Sequence, residues 1–251
     1  MRFKLIGCKI VQRELASIIG RSNNIIDFTL MRQDYHQTPE VLKGILQEEI
    51  DSIDNNTSKY TNDLKLNDID AILLGYGLCS NAVVGLKSRK YKLVIPRAHD
   101  CTTLIMGSKE KYKEYFEKSS GTYFYSRGWL ELGINEEEQR IEKLRKEYME
   151  KFDDEDTVEY LISMEEGMLK NYDCAAYVKW KDSPAQLEDV VKKIAQSKGW
   201  RYEDIEGNDS ILADLINGNW DNERFLVVEP GYEVAASCDD MIIKANKIET
   251  E

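Results

Sequence analysis

Short apolar runs alternate with amphipathic stretches through the first half of the chain. Each run is β-branched or apolar and ends at turn residues, a pattern that indicates strands separated by helices. The predicted strands are Phe3–Val11, Ile25–Met31, Ile69–Leu74 and Lys92–Ile95, and the predicted helices are Glu14–Ile19 and one that opens at Thr38-Pro39-Glu40 with proline at its first position. This alternation is typical of βαβ units and a largely parallel sheet.

The pattern changes from Trp129 to about Lys170, where charged residues dominate. Residues 131–170 contain 14 acidic and 6 basic residues. We interpret this segment as a pair of solvated helices, and an acidic docking surface is the alternative.

The strand and helix alternation then resumes. Strands are predicted at Ala175–Trp180, Trp200–Ile205 and Phe225–Val228, and helices from a capping box at Ser183-Pro184 to Gln196 and over Ser210–Ile216. The predicted fold is therefore α/β, with a Rossmann-like, doubly wound, largely parallel sheet in two similar halves. Residues 1–128 form the half with the candidate site, residues 129–172 an acidic helical insertion, and residues 173–251 the second half.

Charge and composition narrow the classes of partner. The formal net charge of −12 disfavours nucleic acid or an anionic membrane as the main partner. No apolar run approaches the roughly 20 residues of a membrane span, and the first residues lead directly into a predicted strand, so secretion is not expected. The five cysteines lack the spacing of a disulfide framework, which favours a reducing cytoplasm.

Three cysteines fall at predicted strand ends, where open α/β sheets bind ligands. Cys8 is near the end of the first strand, Cys79 follows the third, and Cys101 follows the fourth, with His99 two residues away. Any single cysteine can pack as a small hydrophobe, and Cys174 is placed in that class. Together, however, three thiolates and an imidazole suit tetrahedral zinc, and three thiolates suit a [4Fe–4S] cluster with one open iron.

The neighbours of these cysteines are candidate site residues as well. Arg97 is a candidate for binding a carboxylate or phosphate, and Asp100 for orienting His99. Close backbone approach to a small ligand is predicted at three residues of the loop after the third strand, Gly75, Gly77 and Asn81. Whether Cys238 or His36 joins the site is left open. The aromatic run 121–129 is interpreted as a core strand rather than a stacking wall.

Two runs of the chain resemble a known family. Gly75-Tyr76-Gly77-Leu78-Cys79-Ser80-Asn81 and Val94-Ile95-Pro96-Arg97-Ala98-His99-Asp100-Cys101, with Gly121-Thr122-Tyr123 and Gly128-Trp129, are similar to the domain of unknown function 1638 family. The first strand ending in cysteine and followed by Arg13-Glu14 fits as well. The resemblance implies an anaerobic setting and an association with corrinoid proteins and corrinoid methyltransferases, without an assigned activity. Cys8, Cys79, His99 and Cys101 are the matching polar residues.

Three further likenesses concern only the arrangement of ligands. His99-x-Cys101 with a distant cysteine is similar to the zinc site of cobamide-dependent thiol methyltransferases. Three cysteines from three loops look like the cluster sites of quinolinate synthase and the thiouracil desulfidases. Two facing cysteines are similar to those of amino-acid racemases. Fold analogy does not choose among them.

Three function hypotheses follow. The first is a metal-dependent enzyme, with zinc or an iron–sulfur cluster on Cys8, Cys79 and Cys101 and with His99 as fourth ligand or acid/base, acting on a small metabolite in anaerobic one-carbon, corrinoid-linked or sulfur metabolism. The second is a metal-free enzyme with Cys79 or Cys101 as nucleophile or proton carrier and with His99 lowering the pKa of that cysteine. The third is a noncatalytic, metal-carrying accessory protein that docks on a corrinoid protein or methyltransferase through its acidic helices.

Overall fold

The computed structural model describes residues 1–32, 38–58, 69–132 and 137–248. The chain divides into two compact units, Met1–Tyr112 with Asn208–Glu251 (unit 1) and Lys113–Gly207 (unit 2). This division differs from the three consecutive segments predicted above. The tail of the predicted second half belongs to unit 1 because its strand pairs with a strand from the first half of the chain.

Unit 1 contains a mixed, largely parallel five-stranded sheet. Its strands are β1 (Arg2–Cys8), β2 (Ile25–Met31), β3 (Ala71–Gly75), β4 (Leu93–Pro96) and β8 (Phe225–Val228), in the order β2-β1-β3-β4-β8. The first four strands are parallel, whereas β8 is antiparallel to β4. Both β3 and β4 are buried along their whole length, as the uninterrupted apolar runs in their sequences predict.

Several helices and a hairpin complete unit 1. They are α1 (Gln12–Ile19), α2 (Pro39–Asp54), α3 (Cys101–Met106), α9 (Ser210–Asn217) and the antiparallel pair β9 (Tyr232–Ala236) and β10 (Ile243–Lys247). Helix α2 begins at Pro39, as predicted, and buries Leu42, Leu46 and Ile50 at helical spacing. The side chain of Thr38 makes no capping hydrogen bond.

Helix α4 (Lys109–Lys118) links the two units along the chain, and unit 2 contains a second parallel sheet. Its elements are β5 (Thr122–Ser126), α5 (Arg127–Glu131), α6 (Glu137–Phe152), α7 (Glu155–Leu169), β6 (Cys174–Lys179), α8 (Ala185–Lys198) and β7 (Arg201–Glu206). The strand order is β5-β6-β7, and Val191 and Ala195 of α8 pack against Tyr125 and Tyr177 of the sheet. The first part of the aromatic run is therefore a core strand, as predicted, whereas its last residues, 127–129, begin helix α5.

Two local predictions in unit 2 have different outcomes. The acidic segment does contain a pair of helices, α6 and α7, which pack through Leu144, Val158 and Ile162. The prediction of a capping box at Ser183 was wrong. Its hydroxyl accepts a hydrogen bond from the Trp180 amide, and the residue before α8 is Pro184, which has no side-chain capping bond.

Within the residues that the structure describes, no helix is both long enough and apolar enough to span a membrane.

Candidate functional site

The order of the strands in unit 1 places three cysteines at one edge of the sheet. From β1 the chain continues to β2 on one side and then returns to β3 on the other, so the direction reverses between β1 and β3. Ligand sites of open α/β sheets lie at such a reversal, outside the carboxyl ends of the strands. Cys8 is the last residue of β1, Cys79 follows β3, and Cys101 is the first residue of α3, just after β4.

Glycines bring the chain segments of this edge into close contact. Gly7 of β1 and Gly75 of β3 are register partners, and a Cβ on Gly75 would lie 3.3 Å from the Cα of Gly7. A Cβ on Gly77 would lie 2.8 Å from both the Ala98 carbonyl oxygen and the Asp100 amide nitrogen. Gly77 is therefore needed because the loop after β3 packs directly against the loop after β4.

Two backbone hydrogen bonds hold these loops together. The Leu78 amide donates to the Ala98 carbonyl over 2.8 Å, and the Cys79 amide donates to the His99 carbonyl over 2.9 Å. The loop with Cys79 is thus fixed against the segment that leads into Cys101.

The chain then forms a left-handed turn. Cys79, Ser80 and Asn81 have φ angles of 46°, 56° and 70°, and the Ala82 amide closes the turn on the Cys79 carbonyl at 3.2 Å. Each residue other than glycine in this region costs roughly 1 kcal/mol or more. Strain of this kind persists where the surroundings hold it and is common at functional sites.

The three thiols meet in the interior. Cys8, Cys79 and Cys101 are free cysteines with relative exposures of 1%, 5% and 6%. The Cys101 thiol is hydrogen-bonded to Cys79 and to Cys8. These two hydrogen bonds, followed by burial, raise the pKa of Cys101 well above its usual range. The edge therefore contains a buried cluster of three sulfurs from three separate segments of the chain, called the thiol cluster below.

Tyr76 faces the thiol cluster and was missed by the sequence analysis. Its side chain is fully buried, and its hydroxyl has no hydrogen-bond partner among the residues that the structure describes. Burial raises the pKa of this hydroxyl, and the nearby Cys8, Cys101 and Cys79 raise it further. Only the register of the two strands reveals it, since Tyr76 and Cys8 directly follow the paired residues Gly75 and Gly7.

His99 and Asp100 lie beside the thiol cluster but have different surroundings. His99 is exposed, and its ring centroid is 6.4 Å from that of Tyr112. Asp100 caps α3 by accepting hydrogen bonds from the Thr103 amide at 3.0 Å and its hydroxyl at 3.2 Å. The Tyr112 hydroxyl donates to the other carboxylate oxygen at 2.9 Å. The Asp100 carboxylate thus serves the helix end, whereas the sequence analysis expected it to orient His99.

Arg97 is buried and bound to main-chain carbonyls. Its guanidinium donates to the carbonyl oxygens of Asn222, Phe225, Met241 and Ile243, and to the Asn222 side chain. Burial lowers its pKa, and Asp239 and Glu223 partly oppose this shift. We predicted a carboxylate or phosphate contact for Arg97, but the structure uses it to fasten the segments around β8 and β10 beside β4.

The remaining candidates differ in their exposure and in the unit that contains them. Asn81 is exposed at the end of the left-handed turn, and Cys238 is exposed between β9 and β10. Cys174 is buried in unit 2. His36 lies outside the described residues.

The donor chemistry of the thiol cluster fits a thiophilic metal. Among the described residues, no group of three or more His, Cys, Asp or Glu is placed to hold a metal ion as the side chains stand. Metal ligation requires thiolates, so binding would release the thiol protons and replace the S–H···S hydrogen bonds. The hydroxyl of Tyr76, buried without a partner, also fits a centre that becomes anionic when it is loaded.

These features define an α/β protein with a buried thiol cluster at the reversal point of a largely parallel sheet. A family model described as "Protein of unknown function (DUF1638)" matches residues 30–216, more than half of the chain. The chain therefore belongs to this family. Cys79, His99 and Cys101 lie within the matched span, while Cys8 precedes it. No curated protein and no solved structure matches the chain.

Proposed function

We propose that this protein is a metal-dependent enzyme that binds its metal through Cys8, Cys79 and Cys101. The single observation that supports this proposal best is the meeting of three buried thiols from three separate strand ends. The substrate would be a small metabolite of anaerobic one-carbon, corrinoid-linked or sulfur metabolism, a setting suggested by the family resemblance.

The closeness of the thiols favours one zinc ion over an iron–sulfur cluster. With zinc–sulfur bonds of ~2.3 Å, the thiolates that bind one zinc ion lie close together, as thiols that hydrogen-bond to one another already do. A four-iron cluster separates its thiolates further, because each thiolate binds a different iron. Zinc thus requires the smaller movement from the hydrogen-bonded arrangement of Cys101, Cys79 and Cys8.

Three protein ligands are typical of catalytic rather than structural zinc sites, since the fourth position stays open for substrate or water. Bound zinc would lower the pKa of a substrate thiol or water at that position. The three cysteines would bind the ion, and the strained turn at Cys79 would fix the direction of its thiolate. His99, exposed two residues before Cys101, suits a proton carrier on the solvent side better than a buried ligand.

The metal-free alternative has less support. A nucleophilic cysteine needs a lowered pKa, commonly from a neighbouring cation. The pKa of Cys101 is instead raised by its neighbouring thiols and by burial, and His99 lies at the surface. A bound metal cation reverses this balance, because it favours the thiolate directly.

A noncatalytic, metal-carrying accessory protein is a second candidate, favoured by the surface of α6 and α7. Among their acidic residues, Tyr160 and Met164 are exposed one turn apart, at 63% and 54%. Exposed apolar side chains on a charged helix pair are suited to docking a protein partner, and a corrinoid protein or methyltransferase is the partner that the family resemblance suggests.

We also propose that the sheet of unit 1 is doubly wound in the Rossmann-like sense. The support is its strand order, since right-handed crossovers to opposite sides of β1 place the connecting segments on opposite faces.

The experiment is metal analysis of protein purified without oxygen, together with the Cys79→Ser and Cys238→Ser variants. We expect about one zinc per chain in the wild type and in Cys238→Ser, and a strong loss in Cys79→Ser. Cys238 is the matched control because its thiol is exposed. Iron together with acid-labile sulfide would show that the bound group is an iron–sulfur cluster and not zinc. The absence of bound metal in all three proteins would overturn the proposal.

A further inference from the structure

Among the groups that surround the thiol cluster, Tyr76 is the one whose role in the folded protein is unexplained. Its side chain is fully buried, yet within residues 1–32, 38–58, 69–132 and 137–248 its hydroxyl has no hydrogen-bond partner. Burying an unpaired hydroxyl costs free energy, and a phenylalanine would fill the same volume without that cost.

The backbone directs Tyr76 toward the sulfurs. Gly7 and Gly75 are the last pair in the parallel register of β1 and β3; Cys8 follows Gly7 on β1, and Tyr76 is the first residue after β3. Side chains at matching positions of parallel neighbours lie on the same face of the sheet. Close packing of Gly77 against the loop after β4 then limits the positions open to this segment. The electrostatic influence of Cys8, Cys79 and Cys101 on the Tyr76 hydroxyl agrees with this placement.

The charge of a loaded site supplies the missing partner. Three thiolates around a divalent cation carry a net negative charge before any fourth ligand binds. Such a charge is costly in the interior unless hydrogen-bond donors face it. A hydroxyl that has no partner in the described part of the chain can donate to sulfur when metal binding turns the cysteines into thiolates.

We infer that Tyr76 is a positioning residue of the metal site, whose hydroxyl donates an O–H···S hydrogen bond to the thiolates when the ion is bound. The inference rests on the proposed function. It explains why a tyrosine occupies a position where the metal-free protein gives its hydroxyl no partner.

The test is Co²⁺ binding to the full-length protein without oxygen, comparing wild type with Tyr76→Phe. A hydrogen bond to a thiolate lowers the energy of its lone pairs, so its removal should shift the sulfur-to-cobalt charge-transfer band to longer wavelength. Loss of a hydrogen bond that supports a metal ligand typically weakens binding about 10- to 100-fold. We expect both changes in Tyr76→Phe.

The matched control is Tyr177→Phe, since Tyr177 is an equally buried tyrosine in the core of unit 2. It should leave the cobalt spectrum and affinity unchanged. The metal-free Tyr76→Phe protein should unfold at the same or a higher temperature than the wild type, whereas a hydroxyl with a purely structural role would give a lower one.

The outcomes separate the two proposals. If the wild type binds Co²⁺ through sulfur but Tyr76→Phe has the same spectrum and affinity, the role of Tyr76 is overturned and the proposed function stands. If the wild type binds no Co²⁺, both are overturned.

Discussion

Each unit contains parallel strands with buried cysteine, but two of these cysteines, Cys8 and Cys174, lie at opposite ends of their strands. In unit 1, Cys8 ends β1 at the carboxyl edge. In unit 2, Cys174 begins β6 at the amino edge, paired in register with Thr122 of β5. The first meets two other thiols, whereas the second has Tyr115 and Thr122 as hydrogen-bond partners. The end of the strand thus distinguishes a thiol available for shared chemistry from one packed into a core.

The difference follows from which chain segments and side chains come together at each edge of the two sheets. At the carboxyl edge of unit 1, tight loops after β3 and β4 bring distant parts of the sequence to one point. At the start of β6, Cys174 lies among groups that also serve the sheet, and the Tyr115 hydroxyl donates to Glu203 of β7. Four substitutions test this contrast, in order of decreasing effect.

The largest effect is expected from Cys101→Ser, compared with Cys174→Ser. Cys101 is hydrogen-bonded to both other thiols, so removing its sulfur takes away the central ligand of the proposed site. We expect zinc affinity to fall by about a thousandfold or more, ~4 kcal/mol, because a hydroxyl is a poor ligand for zinc. Competition with a zinc-binding dye measures this. Equal losses in Cys101→Ser and Cys174→Ser would remove the distinction between the two units.

The next largest effect is expected from Gly77→Ala, with Gly44→Ala as the control. The new Cβ at residue 77 would lie within 3.0 Å of the backbone of Ala98 and Asp100, so one loop must move. We expect the free energy of unfolding to fall by about 3 kcal/mol, with weaker zinc binding as the loops separate. At Gly44, inside α2, nothing lies within 4 Å, and alanine should raise stability by roughly 0.5–1 kcal/mol. Urea unfolding of both variants checks the pair, and an unaffected Gly77→Ala protein contradicts the close approach.

A smaller effect is expected from Arg97→Met, compared with Arg21→Met. The substitution leaves the buried carbonyl oxygens of Phe225 and Ile243 without this donor, at a cost of roughly 2 kcal/mol. Arg21 is exposed and pairs with Asp209 at the surface, so its loss should cost about 0–1 kcal/mol. Zinc stoichiometry should stay unchanged in both. If a folded Arg97→Met protein lost its zinc, Arg97 would be part of the metal site after all.

The smallest effect is expected from Cys174→Ala, which should change how the stability of the protein depends on pH. Burial, followed by the charge of Glu203, raises the pKa of Cys174 in the folded protein. The resulting stability is fully present below the unfolded pKa of about 8.5 and is lost as the pH rises toward the folded value. Urea unfolding at pH 7 and pH 10 should therefore show a smaller alkaline loss for Cys174→Ala than for the wild type. An identical loss in both proteins would show that Cys174 does not titrate differently on folding.

Much of this arrangement was predictable from the sequence because strand ends carry strong local signals. Strands β2 and β8 were predicted at their observed bounds, and the ends of β3 and β4 were predicted within one residue. Since the carboxyl ends of parallel strands share an edge, these bounds were enough to place Cys8, Cys79 and Cys101 at one edge.

Other features depend on pairing that no local pattern encodes. The sequence of β8 does not indicate that it would run antiparallel beside β4, and this pairing explains why Arg97 binds carbonyls near β8. Tyr76 became visible as a site residue only once the register of β1 and β3 was known. The left-handed turn at Cys79 is built without glycine, which removes the usual signal for such a backbone.

X-ray absorption at the metal edge, on protein purified without oxygen, tests most directly whether the three thiols form one centre. We predict a zinc ion with three sulfurs at ~2.3 Å and one nitrogen or oxygen at about 2.0 Å. A bound metal surrounded by nitrogen and oxygen alone would contradict a metal centre built on Cys8, Cys79 and Cys101.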